Sequence, residues 1–455
     1  MERSGDEDGG RTRSTGASEN GSADTGTGGN EGGGIQSRSA NAALAWLLVA
    51  CVAAAAANSA FEGDLLLAGL GAATIAIVLV PVVAYRLPTA MLPWEVLLFA
   101  TIPLVSESFG ILLPRSIATF LVVPALALAV AVEFDAFTSV EMSPGFAVAF
   151  VVTSTMATAG AWAVAKWVAD LALGTQHLGT LSDAMWTMVA ATGTGVVTGA
   201  IFAAYLRRVS ATRLGFQTGR FRIRSADETT EFPTEATEGR LQLSERDRRL
   251  VVRGFQAALV GVIVVGLYQR SVSTVVNAAV ALALMELPGL LERNFELPLD
   301  FRLTLWLVVP VFLHALGSMG LYAAVGVWDN LTHALSSSLV AAAGYTTVRA
   351  LDVHYDGVYL PGKFVAAFLL IFTLAFGVLW EILEFAIDGA ATMTGTDSVL
   401  AQHGLDNTML DLVFDAVGAL VVAVWGSAHL SRVSDTLADR MADRRDSEPE
   451  PESGR

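Results

Sequence analysis

The stretch "LWEILEFAIDG", residues 379–389, carries three carboxylates in an otherwise apolar segment. Glu384 and Asp388 follow Glu381 by three and seven residues, so a helix would place all three acids on one face. An ionisable side chain at membrane depth is costly unless it is paired, protonated or bound to an ion. This cost makes Glu381 and Glu384 candidates for acid or base chemistry, with Asp388 as a further site candidate.

Three other segments of the C-terminal half of the chain carry histidines and acids. "FLHALGSMGLY" contains His314, and "WDNLTHALSSS" contains Asp329 and His333 four residues apart, on one helical face. "DNTMLDLVFDAVGA" places Asp411 and Asp415 on one helical stripe. These segments would offer polar side chains at one depth of a membrane, so we expect them to converge on one outward-facing site.

One or two histidines with three or more carboxylates, held on helices, suit a divalent cation such as zinc, manganese or magnesium. The predicted metal ligands are His333, Glu381, Glu384, Asp411 and Asp415, with Glu381 and Glu384 as the catalytic pair, while His314, Asp329 and Asp388 are further candidates. The alternative interpretations are a helix cap for Asp329, a solvated carboxylate for Asp388 and a hydrogen-bonded core histidine for His314. The spacing is not that of a metalloprotease, since no HExxH occurs.

The elements that must position these residues are membrane-spanning helices. The chain is 53% hydrophobic and 16% charged, and about 20 apolar residues make one span. We predict an all-α polytopic membrane protein with about 12 transmembrane helices, near 42–60, 64–85, 93–113, 116–134, 145–170, 184–206, 251–269, 271–291, 303–325, 328–350, 362–387 and 408–429. The bilayer is then its main partner.

Polar segments divide the chain into five parts. Residues 1–40 are predicted to be a disordered acidic, Gly- and Ser-rich tail, and residues 41–206 the first six-helix unit. Residues 207–250 form an arginine-rich linker, predicted to be cytoplasmic; residues 251–430 form the second unit, and 431–455 a charged cytoplasmic tail. Alternation outward from the linker places the N and C termini in the cytoplasm and the polar site on the outer side.

The composition excludes some classes and favours others. The net charge of −16, with lysine only at Lys166 and Lys363, is typical of a salt-adapted organism, and we interpret the chain as haloarchaeal. An acidic chain without a basic, aromatic-rich patch argues against nucleic-acid binding. The single cysteine, Cys51, allows no disulfide framework within the chain. No GxSxG, P-loop or dinucleotide-binding motif supports nucleotide or serine chemistry.

The two six-helix units resemble each other in order. "LPWEVLLFATIPLVSESFG" parallels "LDFRLTLWLVVPVFLHALG", and "SPGFAVAFVVTSTMATAGAWAVAKWVADLALG" parallels "LPGKFVAAFLLIFTLAFGVLWEILEFAIDGA". Six helices per unit predict two parallel repeats about an axis along the membrane normal. The first unit is stripped of the site, because Ala163 and Lys166 stand where the second has Glu381 and Glu384.

The ordered motifs "H…G..Y", "D…H", "E..E" and "D…D..GA" in residues 255–430 resemble those of the YjdF-type membrane proteins, a family of unknown function. The resemblance singles out His314, Asp329, His333, Glu381, Glu384, Asp411, Asp415 and Gly418. A more distant similarity is to VanZ-like proteins, which are associated with glycopeptide resistance and the cell envelope. This chain departs from their signature at Asn330, Glu384 and Asp415, and the added acids favour a cation.

Three functional hypotheses follow from these patterns. The first is a metal-dependent site that acts on an envelope or lipid-linked substrate, with water activated at an open metal position. The second is a proton- or cation-coupled transporter, since acids and a histidine at membrane depth can relay protons. The third is a non-catalytic membrane scaffold in which the polar residues only hold helices together.

Overall fold

The computed structural model describes residues 31–208, 245–295, 301–354 and 359–424, apart from residues 141, 397 and 401. Within these ranges the chain is helical at each of the twelve predicted positions. Residues 1–30 of the predicted tail, most of the predicted linker and the C-terminal tail lie outside the described residues, whereas the first helix already begins at Glu31.

Within each half, the helices follow one another closely along the sequence. Those of the first half are α1 (Glu31–Phe61), α2 (Leu65–Tyr85), α3 (Trp94–Phe109), α4 (Arg115–Phe137), α5 (Pro144–Leu173) and α6 (Leu181–Arg208). Those of the second half are α7 (Glu245–Gln269), α8 (Val272–Leu284), its short extension α9 (Leu287–Phe295), α10 (Phe301–Leu316, prolonged to Ala324), α11 (Trp328–His354), α12 (Gly362–Thr394) and α13 (Leu405–Val424).

Nine of the described helical segments are long and apolar enough to cross a membrane: α1, α2, α5, α6, α7, α8 with α9, α10, α12 and α13. The three other predicted spans, α3, α4 and α11, are not among these nine, each for a different reason. Helix α3 has 16 residues, α4 has its shorter apolar stretch at Leu121–Phe134, and α11 is long but carries many polar side chains. The described part of this protein is therefore an all-helical, multi-pass membrane domain.

Glycines set several helix ends. Helix α3 ends at Gly110, because the left-handed φ of 65° at this residue is incompatible with a right-handed helix. The helix is therefore shorter than the predicted 93–113. Helix α12 runs beyond the predicted end to Gly395, with φ 68°. Helix α10 passes into a π-helical turn at Gly317–Leu321, inside which Gly320 has φ 114°. This turn bends the chain just before α11 and the site residues that α11 carries.

The centre of the molecule is the contact between α5 and α12. Phe146 lies against Phe364, with ring centroids 6.4 Å apart, and Phe150 lies against Phe368 at 6.2 Å. A further pair lies closer to the C-terminal ends of the two helices, where a Cβ at Gly160 would be 2.6 Å from a methyl group of Val378. The paired residues are separated by the same number of positions in the sequence, so α5 and α12 run parallel and in register.

Helix α13 packs closely on α11. A Cβ at Gly418 would collide with the Ser337 hydroxyl and with the carbonyl oxygen of Ala334. The absence of a side chain at Gly418 therefore lets the two backbones touch, as small residues do between membrane helices. This contact fixes how far the acids of α13 lie from the histidine of α11.

Candidate functional site

A cavity of about 180 Å³ lies between five helices of the second half. The first two turns of α8, α11 and α13 and the end of α10 reach it, together with Glu384 of α12 and the loop that joins α12 to α13. Five of the predicted site residues line it: His314, Asp329, His333, Glu384 and Asp411. Residues far apart in the sequence thus share one polar space near one surface of the helical bundle.

His333 stands between two aspartates. Its Nε2 lies 3.8 Å from Oδ1 of Asp329 and 3.8 Å from Oδ1 of Asp411. One ligand atom from each of the three residues lies within 4.8 Å of the others. Donor atoms bound to a tetrahedral ion at about 2.1 Å are roughly 3.4 Å apart, so a small adjustment would bring all three into contact with one cation.

Asp415 approaches the opposite edge of the same imidazole. Its Oδ1 lies 3.3 Å from Nδ1 of His333, and its side chain is only 8% exposed. Space for this carboxylate comes from Gly377 of α12, where a Cβ would collide with Asp415 Oδ2. Asp415 is therefore placed to orient the histidine rather than to share its Nε2 side with the other two acids.

Asn407 joins the two aspartates of the group. Its Nδ2 donates a hydrogen bond of 2.7 Å to Oδ2 of Asp329 and one of 3.4 Å to Oδ1 of Asp411. An amide with two N–H groups can satisfy two acceptors at once. Asn407 thus holds one carboxylate of α11 and one of α13 at the distance that the candidate site needs.

The two glutamates of α12 have different surroundings. Glu384 faces the cavity and accepts a hydrogen bond of 3.0 Å from the indole N–H of Trp380. Glu381 is 1% exposed and does not line the cavity; its Oε2 lies 3.4 Å from Nε2 of Gln402. Its Oε1 has no hydrogen-bond partner among the described residues. Glu384 is thus placed to act on a bound molecule, and Glu381 lies behind the cavity wall.

Of the remaining candidates, His314 and Asp388, one lines the cavity and the other does not. His314 lines the cavity and lies 2.6 Å from the Tyr322 hydroxyl through Nδ1. Asp388 is half-buried near the end of α12 and is not among the residues that line the cavity. Sequence reasoning missed Asn407 as a site residue, although its spacing of four from Asp411 is a signal that a helical face would reveal. Tyr322, which also lines the cavity, was not among the predicted site residues either.

Fold and site together define a multi-pass helical membrane protein with a polar cavity in its second half. Residues 251–432 match the model of the family described as "Predicted membrane protein (DUF2238)", and the chain belongs to this family. The expected kinship with an uncharacterised membrane family of the YjdF type is thereby confirmed, while the more distant similarity to VanZ-like proteins stays a prediction. Residues 32–91 match a second family, "Domain of unknown function (DUF8268)".

A relative from Thermotoga maritima, described as "Uncharacterized protein", is 34% identical over 139 residues. The aligned part covers 30% of this chain and 67% of the relative. No solved structure matches the chain.

Proposed function

We propose that the cavity is a divalent-cation site that performs hydrolysis on a polar group presented at the membrane surface. The observation that carries this proposal is the arrangement around His333: Nε2 faces Asp329 and Asp411, and Nδ1 faces Asp415. A metal-binding histidine characteristically uses one nitrogen for the ion and the other for a carboxylate that fixes its orientation. Asp329, His333 and Asp411 would hold the ion, and Asp415 would orient the histidine.

One imidazole and two carboxylates form a donor set that suits zinc or manganese, and magnesium when waters complete the shell. Such a cation would supply Lewis-acid polarisation of a substrate oxygen. Glu384 lines the same cavity, so its carboxylate would accept the proton of an attacking water. Trp380 holds that carboxylate through its indole N–H. Glu381, enclosed behind the wall, would act on this group only indirectly.

Metal content measured on purified protein tests the proposal. We expect bound Mn²⁺ or Zn²⁺ in the parent chain, none in His333→Ala, and an affinity about 10- to 100-fold weaker in Asp415→Asn. Asp388→Asn is the matched control, because it removes an acid of α12 that does not line the cavity. Equal metal content in the parent and in His333→Ala would refute the metal site.

We also propose that the two halves are parallel repeats and that the cavity opens on the outer side of the cell membrane. The pairs Phe146–Phe364 and Phe150–Phe368 support the repeat, since a twofold axis between α5 and α12 brings each residue against its own counterpart. Cysteines introduced at Tyr359 and Thr396 flank α12 at its two ends. In a Cys51→Ser background, a membrane-impermeant maleimide added outside should label only the cysteine at position 396; labelling of position 359 alone would reverse the orientation.

Transport is a second candidate, favoured by Glu381. This carboxyl group is buried one turn after Val378, which meets Gly160 of α5, and it has an oxygen without a partner among the described residues. A buried acid of this kind is expected of a group that carries a proton between two compartments. Proteoliposomes with an internal pH dye would distinguish the candidates. A proton or sodium flux that Glu381→Gln abolishes supports transport, and the absence of any such flux together with bound metal supports the hydrolytic site.

A further inference from the structure

The part of the cavity lining that α10 and its extension supply carries a second polar group, apart from the three candidate ligands on α11 and α13. Its centre is the pair formed by His314 Nδ1 and the Tyr322 hydroxyl, 2.6 Å apart. Both side chains line the same cavity as Asp329, His333 and Asp411. The lining therefore has two walls that differ in chemistry: one on α11 and α13 with acids, and one on the end of α10 with neutral hydrogen-bonding groups.

The chain builds this second wall with an unusual turn. The π-helical segment Gly317–Leu321 interrupts α10, and Gly320 within it has φ 114°. The Tyr322 ring then folds back onto Gly317, where a Cβ would collide with the ring. Single π turns are rare and are frequently found at functional sites. Here the turn brings a tyrosine from the far side of the bend onto the histidine that precedes it.

The loop between α12 and α13 covers the same wall. Ser273 and Asn277 of α8 donate hydrogen bonds of 2.8 Å and 3.0 Å to the carbonyl oxygen of Val399. They thereby hold the loop that also carries His403, whose ring lies 6.1 Å from that of Tyr322. The Ser273 and Asn277 donors are thus engaged with the loop. The His314–Tyr322 pair, which keeps one donor beside its internal hydrogen bond, and His403 then line the space that a bound molecule would occupy.

The charges of the lining restrict what that molecule can be. Among the described residues that line the cavity there is neither lysine nor arginine, while three carboxylates are present: Asp329, Glu384 and Asp411. An anion would be repelled there unless a cation were bound. An anion that bridges the two walls therefore has to bind a cation on one side and accept a hydrogen bond on the other.

We infer that this cavity binds a phosphate group, held between a divalent cation at Asp329, His333 and Asp411 and the His314–Tyr322 pair; the inference rests on the proposed metal site. The hydrogen bond between His314 and Tyr322 uses one of their two protons, so the pair keeps one N–H or O–H to donate to the phosphate. A tetrahedral phosphate directs oxygens toward both walls at once, and divalent cations bind phosphate oxygens strongly. The volume of about 180 Å³ far exceeds the space of one water molecule. The phosphate would come either from solution or from the headgroup of a lipid.

The test uses Mn²⁺ as the cation and phosphorus NMR as the readout. The full chain is placed in nanodiscs whose lipids contain no phosphate. One arm adds inorganic phosphate, and the other adds dihexanoyl phosphatidate, a soluble lipid phosphate. We expect Mn²⁺ bound to the protein to broaden the phosphorus signal in at least one arm, and no phosphate binding after the metal is removed. The arm with the tighter binding identifies the source of the phosphate.

Tyr322→Phe removes only the hydroxyl and should weaken phosphate binding about tenfold, with Mn²⁺ affinity unchanged. His314→Phe should act similarly. Tyr268→Phe is the control, because Tyr268 is 90% exposed and outside the cavity. Retained Mn²⁺ binding shows that a variant is folded.

Each outcome bears on a different claim. If the parent binds no Mn²⁺, the proposed metal site is refuted and the phosphate site with it. If Mn²⁺ binds but neither phosphate does, or if both variants bind phosphate as the parent does, the metal site stands and the phosphate inference fails. Phosphate binding without metal also overturns it.

Discussion

Trp167 of α5 donates its indole N–H to Oδ1 of Asp406 over 2.8 Å. The two residues lie in different halves of the chain, and Asp406 immediately precedes Asn407, which bridges Asp329 and Asp411. Nearby, Met185 of α6 is fully buried and lies 3.5 Å from the Gln402 side chain. The first half, which lacks the acids of the second, thus supports the start of α13 and the loop before it.

Trp167→Phe should therefore weaken metal binding at the site, although Trp167 does not line the cavity. We expect a loss of about 1 kcal/mol in the free energy of unfolding, because one hydrogen bond to a carboxylate at the membrane surface disappears. Mn²⁺ affinity should fall several-fold with it. Thermal unfolding in detergent and metal titration measure the two effects. Trp162→Phe on the same helix is the control, since the Trp162 ring contacts Lys166 within α5; equal behaviour of the two variants would contradict the supporting role.

Gly377→Ala should disturb Asp415, because the added Cβ would collide with its carboxylate. Overpacking of this kind costs about 1–3 kcal/mol, and a displaced Asp415 no longer orients His333. Gly389→Ala is the matched control on α12, since a Cβ there meets no atom within 4 Å. Thermal unfolding and metal affinity should both fall in Gly377→Ala and remain near parental values in Gly389→Ala. A Gly377→Ala protein with unchanged metal affinity would show that Asp415 has no orienting role.

Asn407→Ala should make the protein dependent on metal. Without the amide, the carboxylates of Asp329 and Asp411 lose their shared donor, and the loss should cost about 1–3 kcal/mol in a metal chelator. A bound cation would take over the bridging, so added Mn²⁺ should restore most of the lost thermal stability. If the variant is equally destabilised with and without metal, the polar cluster serves only to hold the helices together.

Metal binding should weaken as the pH falls. The ion needs the neutral imidazole of His333 and the ionised carboxylates of Asp329 and Asp411, so protons compete with it. We expect Mn²⁺ affinity of the parent to drop at least about tenfold from about pH 8 to about pH 6. Asp388→Asn should show the same slope. A Mn²⁺ affinity that is independent of pH would place the bound ion elsewhere in the molecule.

Much of the architecture could be predicted because its signals are local. Apolar runs of sufficient length mark spans whatever their neighbours are, and the described helices lie at all twelve predicted positions. Their ends were harder to predict, since single glycines such as Gly110 and Gly395 decide where a helix stops. The interpretation as a haloarchaeal protein stays a prediction from composition.

The sequence by itself determined which helices carry acids and histidines, because charge within an apolar run and a period of about 3.6 residues are readable without a partner. Only the tertiary structure decided what each one faces. The two nitrogens of His333 meet different aspartates because α11, α12 and α13 are rotated and pressed together, which Gly377 and Gly418 permit. Tyr322 and Asn407 line the cavity for the same reason. Helix rotation and close approach depend on contacts between residues far apart in the chain, which the local sequence pattern does not show.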